Sequence, residues 1–575
     1  MNILYPEIYQ DDIFFKYGSQ ASFTVFPFIH ALVVQQIGVD NGACLLTVIG
    51  LSLFFVTTLS MTRIFLTPAQ TALFLIFFTT LPVFFNPVLY VFEVFLTSRT
   101  ISLGLSILFL SLVLKRRIVS ASIFLIIALM LHPLVPLGAI AIALFLQRPS
   151  IIITVTSLGI LLLIIGLVFS IPPISLLTQT IDQSWFELIK QRSPFLFIYN
   201  WQDHDLNLLL LEICIILSAK SYCTDKLKRV FNAVLIATAL CLLISLVASW
   251  LLNTLLIQLQ PWRILVFTHI FAVIAFTWII SAAWIKDSGK VVILLYFSLF
   301  LSLDSIGSLP ALAIHFFWRY SLKHHYAPPP ILIKGAYAIL LQCAFWYILN
   351  TDLVDPSITT DNFIFRFASN LKYWLNGSPF YITAFLMVLL FYSTILQKKI
   401  TIFLSIAILL LSPLVLFYFD QRYRSTTWNS GNSEPYISLR KEIPINATVY
   451  CEIGVEACWF LLRRKQYMSP KQSAGIVFSR ETAFESKRRA DLLLRAGFED
   501  GVFPRHWHKN LKQTSPTPTF KAFNELCQDP ILDYIITTSP FMQKIPDKIV
   551  NAGETKMNIY YCSPMAIKHV NKNKY

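Results

Sequence analysis

The chain has 575 residues, of which 56% are hydrophobic and 14% aromatic but only 13% charged, where a soluble domain carries roughly 25% charged residues. That balance excludes an ordinary soluble enzyme and points to a polytopic helical membrane protein. The formal net charge of +15 does not argue for nucleic acid, because much of it sits in short loops between apolar runs, where basic residues set membrane topology.

The first 41 residues form an acidic turn, Tyr5-Pro6-Glu7-Ile8-Tyr9-Gln10-Asp11-Asp12, followed by an aromatic-rich interfacial segment from Ile13 to Val34 that is too broken by polar residues to span cleanly. From 42 to 419 the sequence reads as membrane. Expected spans are 42–61, 68–86, 99–114, 118–131, 134–147, 150–170, 206–219, 230–257, 264–284, 290–306, 308–320, 331–350, 378–396 and 400–419, which gives 12 to 14 crossings. The segments 118–131 and 134–147 meet at His132-Pro133, either as two short helices or as one kinked one. Residues 420–575 read as a small α/β or α+β domain. Strands are expected at Thr448–Ile453, Ile531–Thr538 and Met557–Cys562, with a helix at Glu481–Ala496 burying Ala490, Leu493 and Leu494.

Loop charge sets the orientation. One set of loops holds Arg63, Lys115, Arg116, Arg117, Arg148, Lys220, Lys226, Lys228, Arg229, Lys286, Lys290, Arg319, Lys323, Lys334, Lys398 and Lys399. The other holds Lys16, Arg99, Lys190, Arg192, Arg263, Arg366 and Lys372. The positive-inside rule places the richer set in the cytoplasm, and so the N-terminal loop, the 171–205 and 351–377 loops and the C-terminal domain outside. The location expected is a bacterial inner (plasma) membrane. An exported first loop normally follows a helix that carries it across. None is visible, so either the true start lies upstream or the first span inserts with its N-terminus outward.

The nine cysteines show no metal-ligand spacing. Cys44, Cys214, Cys241 and Cys343 fall in or at the ends of apolar helices, where packing is the default. Cys451 and Cys458 are either a disulfide of an exported domain or two free thiols. No cleavable signal peptide is visible.

In this topology the polar helix ends gather on the outer side: Asp11, Asp12, Glu93, Arg99, His132, Asp203, His204, Gln260 and Arg263. The Asp11-Asp12 pair reads either as the cap of the following helix or as a site of chemistry. In the second reading one carboxylate is the general base, and the other holds a magnesium or manganese ion against a phosphate. Arg99 and Arg263 are either snorkelling or belt residues, or phosphate clamps. His132 is either a structural imidazole or a participant in the site. Glu93, Gln260 and His204 complete the expected substrate-binding set, and Asp203-His204-Asp205 has a plain reading as a solvated loop.

Taken together, the acidic first loop (Asp11, Asp12), Ser98-Arg99-Thr100 opening a span, the His132-Pro133 break and the polar domain after the last span resemble the C-type membrane glycosyltransferases. The Gln260-Pro261-Trp262-Arg263 element and the stretch Gly475-Ile-Val-Phe-Ser-Arg480-Glu-Thr-Ala483 resemble uncharacterised bacterial multi-pass proteins. The resemblance implies transfer of a sugar from a polyprenyl phosphate to an extracytoplasmic glycan, lipid or protein, with Asp12 or Asp11 as base or metal ligand. The competing expectations are a lipid or polysaccharide transporter and a non-catalytic subunit of an envelope assembly complex.

Overall fold

The computed structural model describes residues 2–18, 23–80, 96–171, 173–284, 286–302, 308–350, 434–498, 501, 503, 519–541, 544–552 and 555–562. The expected spans at 378–396 and 400–419, the 351–377 loop and Glu93 lie outside these residues.

Two single-turn helices, α1 (Pro6–Tyr9) and α2 (Ile13–Lys16), precede α3 (Phe26–Ile37). The membrane-like body follows as α4 (Val39–Thr62), α5 (Pro68–Thr80), α6 (Ser98–Leu114), α7 (Ile118–Leu131), α8 (Leu134–Phe145) and α9 (Pro149–Val168). A non-membrane excursion contains α10 (Gln183–Arg192). The body resumes with α11 (Asp203–Ala219), α12 (Asp225–Leu251), α13 (Thr254–Leu259), α14 (Leu265–Ala283), α15 (Asp287–Leu301), α16 (Leu309–Lys323) and α17 (Pro330–Asn350). Among the described residues, Asn41–Thr62, Ser150–Val168, Asp225–Leu251 and Thr254–Ala283 are long and apolar enough to cross a membrane. Phe26–Ile37, Ser98–Leu114, Ile118–Leu131, Leu134–Phe145 and Pro330–Cys343 are shorter apolar helices. His132-Pro133 separates α7 and α8 into two helices because Pro133 supplies no N–H to continue the ladder.

The bundle is organised around α14. Leu265, Phe267, Ile270, Phe271, Ile274 and Phe276 are all buried, and the helix packs on α5, α11, α12 and α15. Helix α9 is the opposite case: it presents Ile153, Leu158, Leu161 and Ile164 at its surface, an arrangement suited to hydrocarbon rather than water. Close approach is bought with small residues. A Cβ on Gly104 would sit 3.1 Å from the Phe54 backbone, and one on Gly138 would sit 3.0 Å from the Ile264 Cα, so α6 lies against α4 and α8 against the 261–264 turn.

The C-terminal domain has a five-stranded sheet in the order β2-β1-β3-β5-β4. β1 (Thr448–Cys451) pairs in parallel with β2 (Lys465–Gln466) and β3 (Tyr534–Thr537), and β5 (Thr555–Tyr561) runs antiparallel to β3 and β4 (Lys548–Ala552). Three helices, α18 (Glu434–Glu442), α19 (Arg480–Arg495) and α20 (Phe520–Cys527), flank it. The expected strands and helix are present; Ala490 and Leu493 are buried while Leu494 is half-buried. β2 and β4 are additional, and β2 is too short to show as a period in sequence.

Two features stabilise this domain. Asp529 accepts from Tyr467 Oη and Arg488 Nη1, each at 2.6 Å, and from Ile531 N at 3.1 Å. Burial opposes its charge, but the Tyr467 and Arg488 hydrogen bonds prevail and hold its pKa below the ordinary carboxylate value. The disulfide joins Cys527 to Cys562, whereas Cys451 and Cys458 are buried free thiols. The disulfide reading of Cys451 and Cys458 is therefore corrected: the bridge ties the end of α20 to the end of β5 instead.

Two outcomes follow. A depressed Asp529 pKa contributes stability that is complete above the unfolded value of about 4 and is lost as pH falls through the folded one. Acid unfolding of the domain is accordingly weakened in its pH dependence by Asp529→Asn, as read by circular dichroism. Alkylation of unreduced, denatured protein labels Cys451 and Cys458 but spares Cys527 and Cys562, and Cys527→Ser with Cys562→Ser costs roughly 2–4 kcal/mol. A recovered Cys451–Cys458 linked peptide contradicts this pairing.

Candidate functional site at one end of the bundle

The two ends of the chain meet at Asp12. It caps α2 by accepting from Phe14 N at 3.0 Å, as expected for an aspartate at that position. The same carboxylate accepts from Trp459 Nε1 at 2.9 Å, Gln466 N at 3.1 Å and Gln472 Nε2 at 2.8 Å. It is 1% exposed, and each of its oxygens takes two N–H donors. Burial pushes its pKa up, and the donors from Phe14, Trp459, Gln472 and Gln466 work against that shift. Tyr9 Oη donates to the Trp459 carbonyl at 2.8 Å, and the Phe14 and Phe15 rings lie 5.8 and 5.5 Å from the Trp459 ring. Asp12 thus fastens the N-terminal turn to the C-terminal sheet, and neither oxygen faces an open site. Asp11, next to it, is exposed.

The segment after Gln466 then docks on the 171–205 excursion. Arg192 Nε donates to Ser473 Oγ at 2.6 Å, and Arg192 Nη2 donates to the Pro470 carbonyl. Trp185 Nε1 donates to the Ile476 carbonyl at 2.8 Å, and Gln258 Nε2 to the Val477 carbonyl at 3.0 Å. Arg480 pairs with Asp182 at 2.7 Å on the surface, holding the Asp182 pKa below its usual value through that hydrogen bond. The Gly475–Ala483 stretch is therefore a docking element, with its carbonyls satisfied by side chains from the helical body. The excursion is itself pinned: Asn253 Nδ2 donates to the Leu177 carbonyl at 2.7 Å, and Ile181 N to the Leu252 carbonyl at 2.8 Å.

The basic residues lie on three elements of the helical body. Arg99 occupies the first turn of α6, His132 the break after α7, and Arg263 the 3-10 turn before α14. The positive charges of Arg99 and Arg263 both act on His132, so these three parts of the sequence come near one another. Their backbones are held firmly. Ser102 Oγ donates to the Ala128 carbonyl at 2.9 Å and to the His132 carbonyl at 3.3 Å. Val25 N donates to the Met130 carbonyl at 3.0 Å, and Thr24 Oγ1 donates to the Leu131 carbonyl. These bonds satisfy the α7 carbonyls that would otherwise end unpaired. His132 Nδ1 is buried without a hydrogen-bond partner. On the other side, Gln260 adopts φ +50°, a left-handed conformation that costs a non-glycine residue about 1–2 kcal/mol. It turns the chain into Pro261 and presents Oε1 to Arg263 Nε at 2.7 Å.

His204 sits in the first turn of α11, where Gln202 and Asp205 form a reciprocal cap; the Asp203-His204-Asp205 stretch is a helix start rather than a loop. The aspartate pair does not suit a divalent cation, since N–H donors occupy both Asp12 oxygens. Among the described residues no group of three or more His, Cys, Asp or Glu side chains is arranged to hold a metal.

Sequence reasoning missed Glu212 and His269. Glu212 on α11 and His269 on α14 meet inside the bundle, Oε1 to Nδ1 at 2.5 Å, at 0% and 1% side-chain exposure. The helix centres are thus not free of ionisable groups, and a lone acid within an apolar run was the signal.

The prediction from this geometry concerns Asp12. Asp12→Ala removes the acceptor of Trp459 Nε1 and Gln466 N and leaves Gln472 Nε2 only the Gln466 carbonyl, and costs about 3 kcal/mol or more. It exposes the 459–472 region to limited proteolysis, whereas Asp11→Ala leaves the cleavage pattern unchanged. No family model, curated protein or solved structure matches this chain.

Proposed function

We propose that the protein is an integral membrane glycosyltransferase of 12 to 14 spans that moves a sugar from a polyprenyl phosphate to an extracytoplasmic acceptor. The observation that supports this reading is that Arg99 and Arg263 both act electrostatically on His132, while Gln258, just before the Arg263 turn, bonds the Val477 carbonyl of the docked segment. Guanidinium groups match phosphate oxygens bidentately, and a rim at the bundle end suits a headgroup whose tail stays in the bilayer. In this reading Arg99 and Arg263 neutralise the leaving polyprenyl phosphate. The polar Gln260 side chain orients Arg263, and His132 borders the same site.

The acceptor hydroxyl needs a base at hydrogen-bond distance. With Asp12 occupied by its four donors, that role falls to exposed Asp11, and Asp12 acts by holding the loop in place. The Cys527–Cys562 disulfide supports an oxidising compartment for the C-terminal domain, and hence an extracytoplasmic face for the site.

Undecaprenyl phosphate is the probe common to all such donors. Purified protein binds it in preference to uncharged undecaprenol, and Arg99→Ala and Arg263→Ala each weaken that binding about 10- to 100-fold, measured by native mass spectrometry. Equal affinity for the two lipids, or unaltered affinity in the double variant, overturns the phosphate site. In a membrane transfer assay, Asp11→Asn lowers turnover by about 100-fold or more. Full turnover in Asp11→Asn removes the base.

A further inference from the structure

Glu212 and His269 have no part in the transfer reading, yet among the described residues of the helical body they are the most enclosed ion pair. Their contact is single: Nδ1 to Oε1 at 2.5 Å. The far atoms, Glu212 Oε2 and His269 Nε2, are buried without a hydrogen-bond partner. A pair that only fastened α11 to α14 would be cheaper as two apolar side chains, because desolvating a charged pair is costly and an unmatched buried polar atom costs a further 1–3 kcal/mol or so. Here an acceptor and an imidazole nitrogen stand open at opposite ends of one carboxyl–imidazole unit.

We propose that Glu212 and His269 form an intramembrane proton-binding site. With one proton, shared on the Nδ1–Oε1 axis, the unit carries a single negative charge; a second proton makes it neutral, which is the state a low-dielectric interior favours. The second proton binds at the open His269 Nε2 or Glu212 Oε2 and is released from either, and the unit returns to its singly protonated, anionic form. One proton enters for each that departs, and no co-reactant is needed.

The surroundings fit a site of this kind. Among the described residues, His269 is the one ionisable side chain within ion-pair distance of Glu212, so no third group holds the carboxylate. The Phe78 ring stands 6.1 Å from the imidazole. The titratable groups carried by the packed elements are Asp203, His204, Asp205 and Cys214 on α11, Cys241 with Asp225, Lys226, Lys228 and Arg229 on α12, Asp287, Lys290 and Tyr296 on α15, His315, Arg319, Tyr320 and Lys323 on α16, and Arg263 in the turn before α14; α5 and α8 carry none. Toward the far end of α11, Ser218 Oγ lies 2.9 Å from both Tyr296 Oη and His315 Nδ1, and Tyr296 Oη reaches the Cys214 carbonyl at 3.4 Å. That network joins hydroxyl and imidazole groups of α11, α15 and α16.

The test uses the full-length protein in phosphatidylcholine bilayers, read by infrared spectroscopy as H2O is replaced by D2O. The wild type shows a protonated-carboxyl C=O band that shifts on deuteration, is absent in Glu212→Gln and moves in frequency in His269→Gln. An inert fastener gives either no such band or one that fails to shift. Either result overturns the proposal, as does a band that survives in Glu212→Gln. Should Glu212→Gln fail to fold, nitrogen-15 resonances of His269 in the wild type provide the second readout: Nε2 exchange with solvent is expected, and its absence contradicts the site. Binding of undecaprenyl phosphate stays unchanged in His269→Gln, so this proposal and the transfer reading fail separately.

Discussion

A buried carboxylate with four N–H donors joins the two ends of this chain. Asp12 takes one hydrogen bond from its own helix and three from residues 447 to 460 positions away. Because removal from water disfavours the charged form, the arrangement is stable only when every donor is present. The N-terminal turn and the strand at Gln466 therefore fold as one unit or not at all. Everything stacked above the bundle depends on this fastening. Gln472 bonds to Asp12 while Ser473 is held by Arg192, so the docking segment is gripped from both sides.

The same layer determines what lies beneath it. Thr24 and Val25 cap the end of α7 and so fix His132. Gly138 allows α8 to touch the 261–264 turn, and Gln260 accepts a strained φ to aim Arg263. The basic residues are thus placed by backbone contacts and by small or strained residues, not by the arginines' own reach. Such placement is what a phosphate site requires, since bidentate geometry tolerates little slack.

Much of the helical body was legible because apolar runs and basic breaks are local signals. The helices beginning at Ser98 and Ile118 and the break at His132-Pro133 stand where the sequence puts them. Loop charge grouped Arg99, His132 and Arg263 as an expectation, and both arginines act electrostatically on His132. The role of Asp12 was not legible in full: its capping of α2 is local, but Trp459, Gln466 and Gln472 are its partners only through tertiary structure. For Cys451 and Cys458, short spacing suggested a bridge, whereas the sheet and α20 bring Cys527 and Cys562 together. Glu212 and His269 each look like a blemish in an apolar run, and only the packing of α11 on α14 makes them a pair.

The central claim is that the N-terminal turn and the C-terminal sheet are clasped on one face of the membrane body. The most direct measurement replaces Phe14, whose ring lies 5.8 Å from that of Trp459, with a photoreactive phenylalanine analogue in the full chain in native membranes. The account predicts crosslinked peptides from the segment containing Trp459 to Gln472. Crosslinks confined to lipid, or to residues at the Lys115 and Arg229 end of the bundle, contradict it.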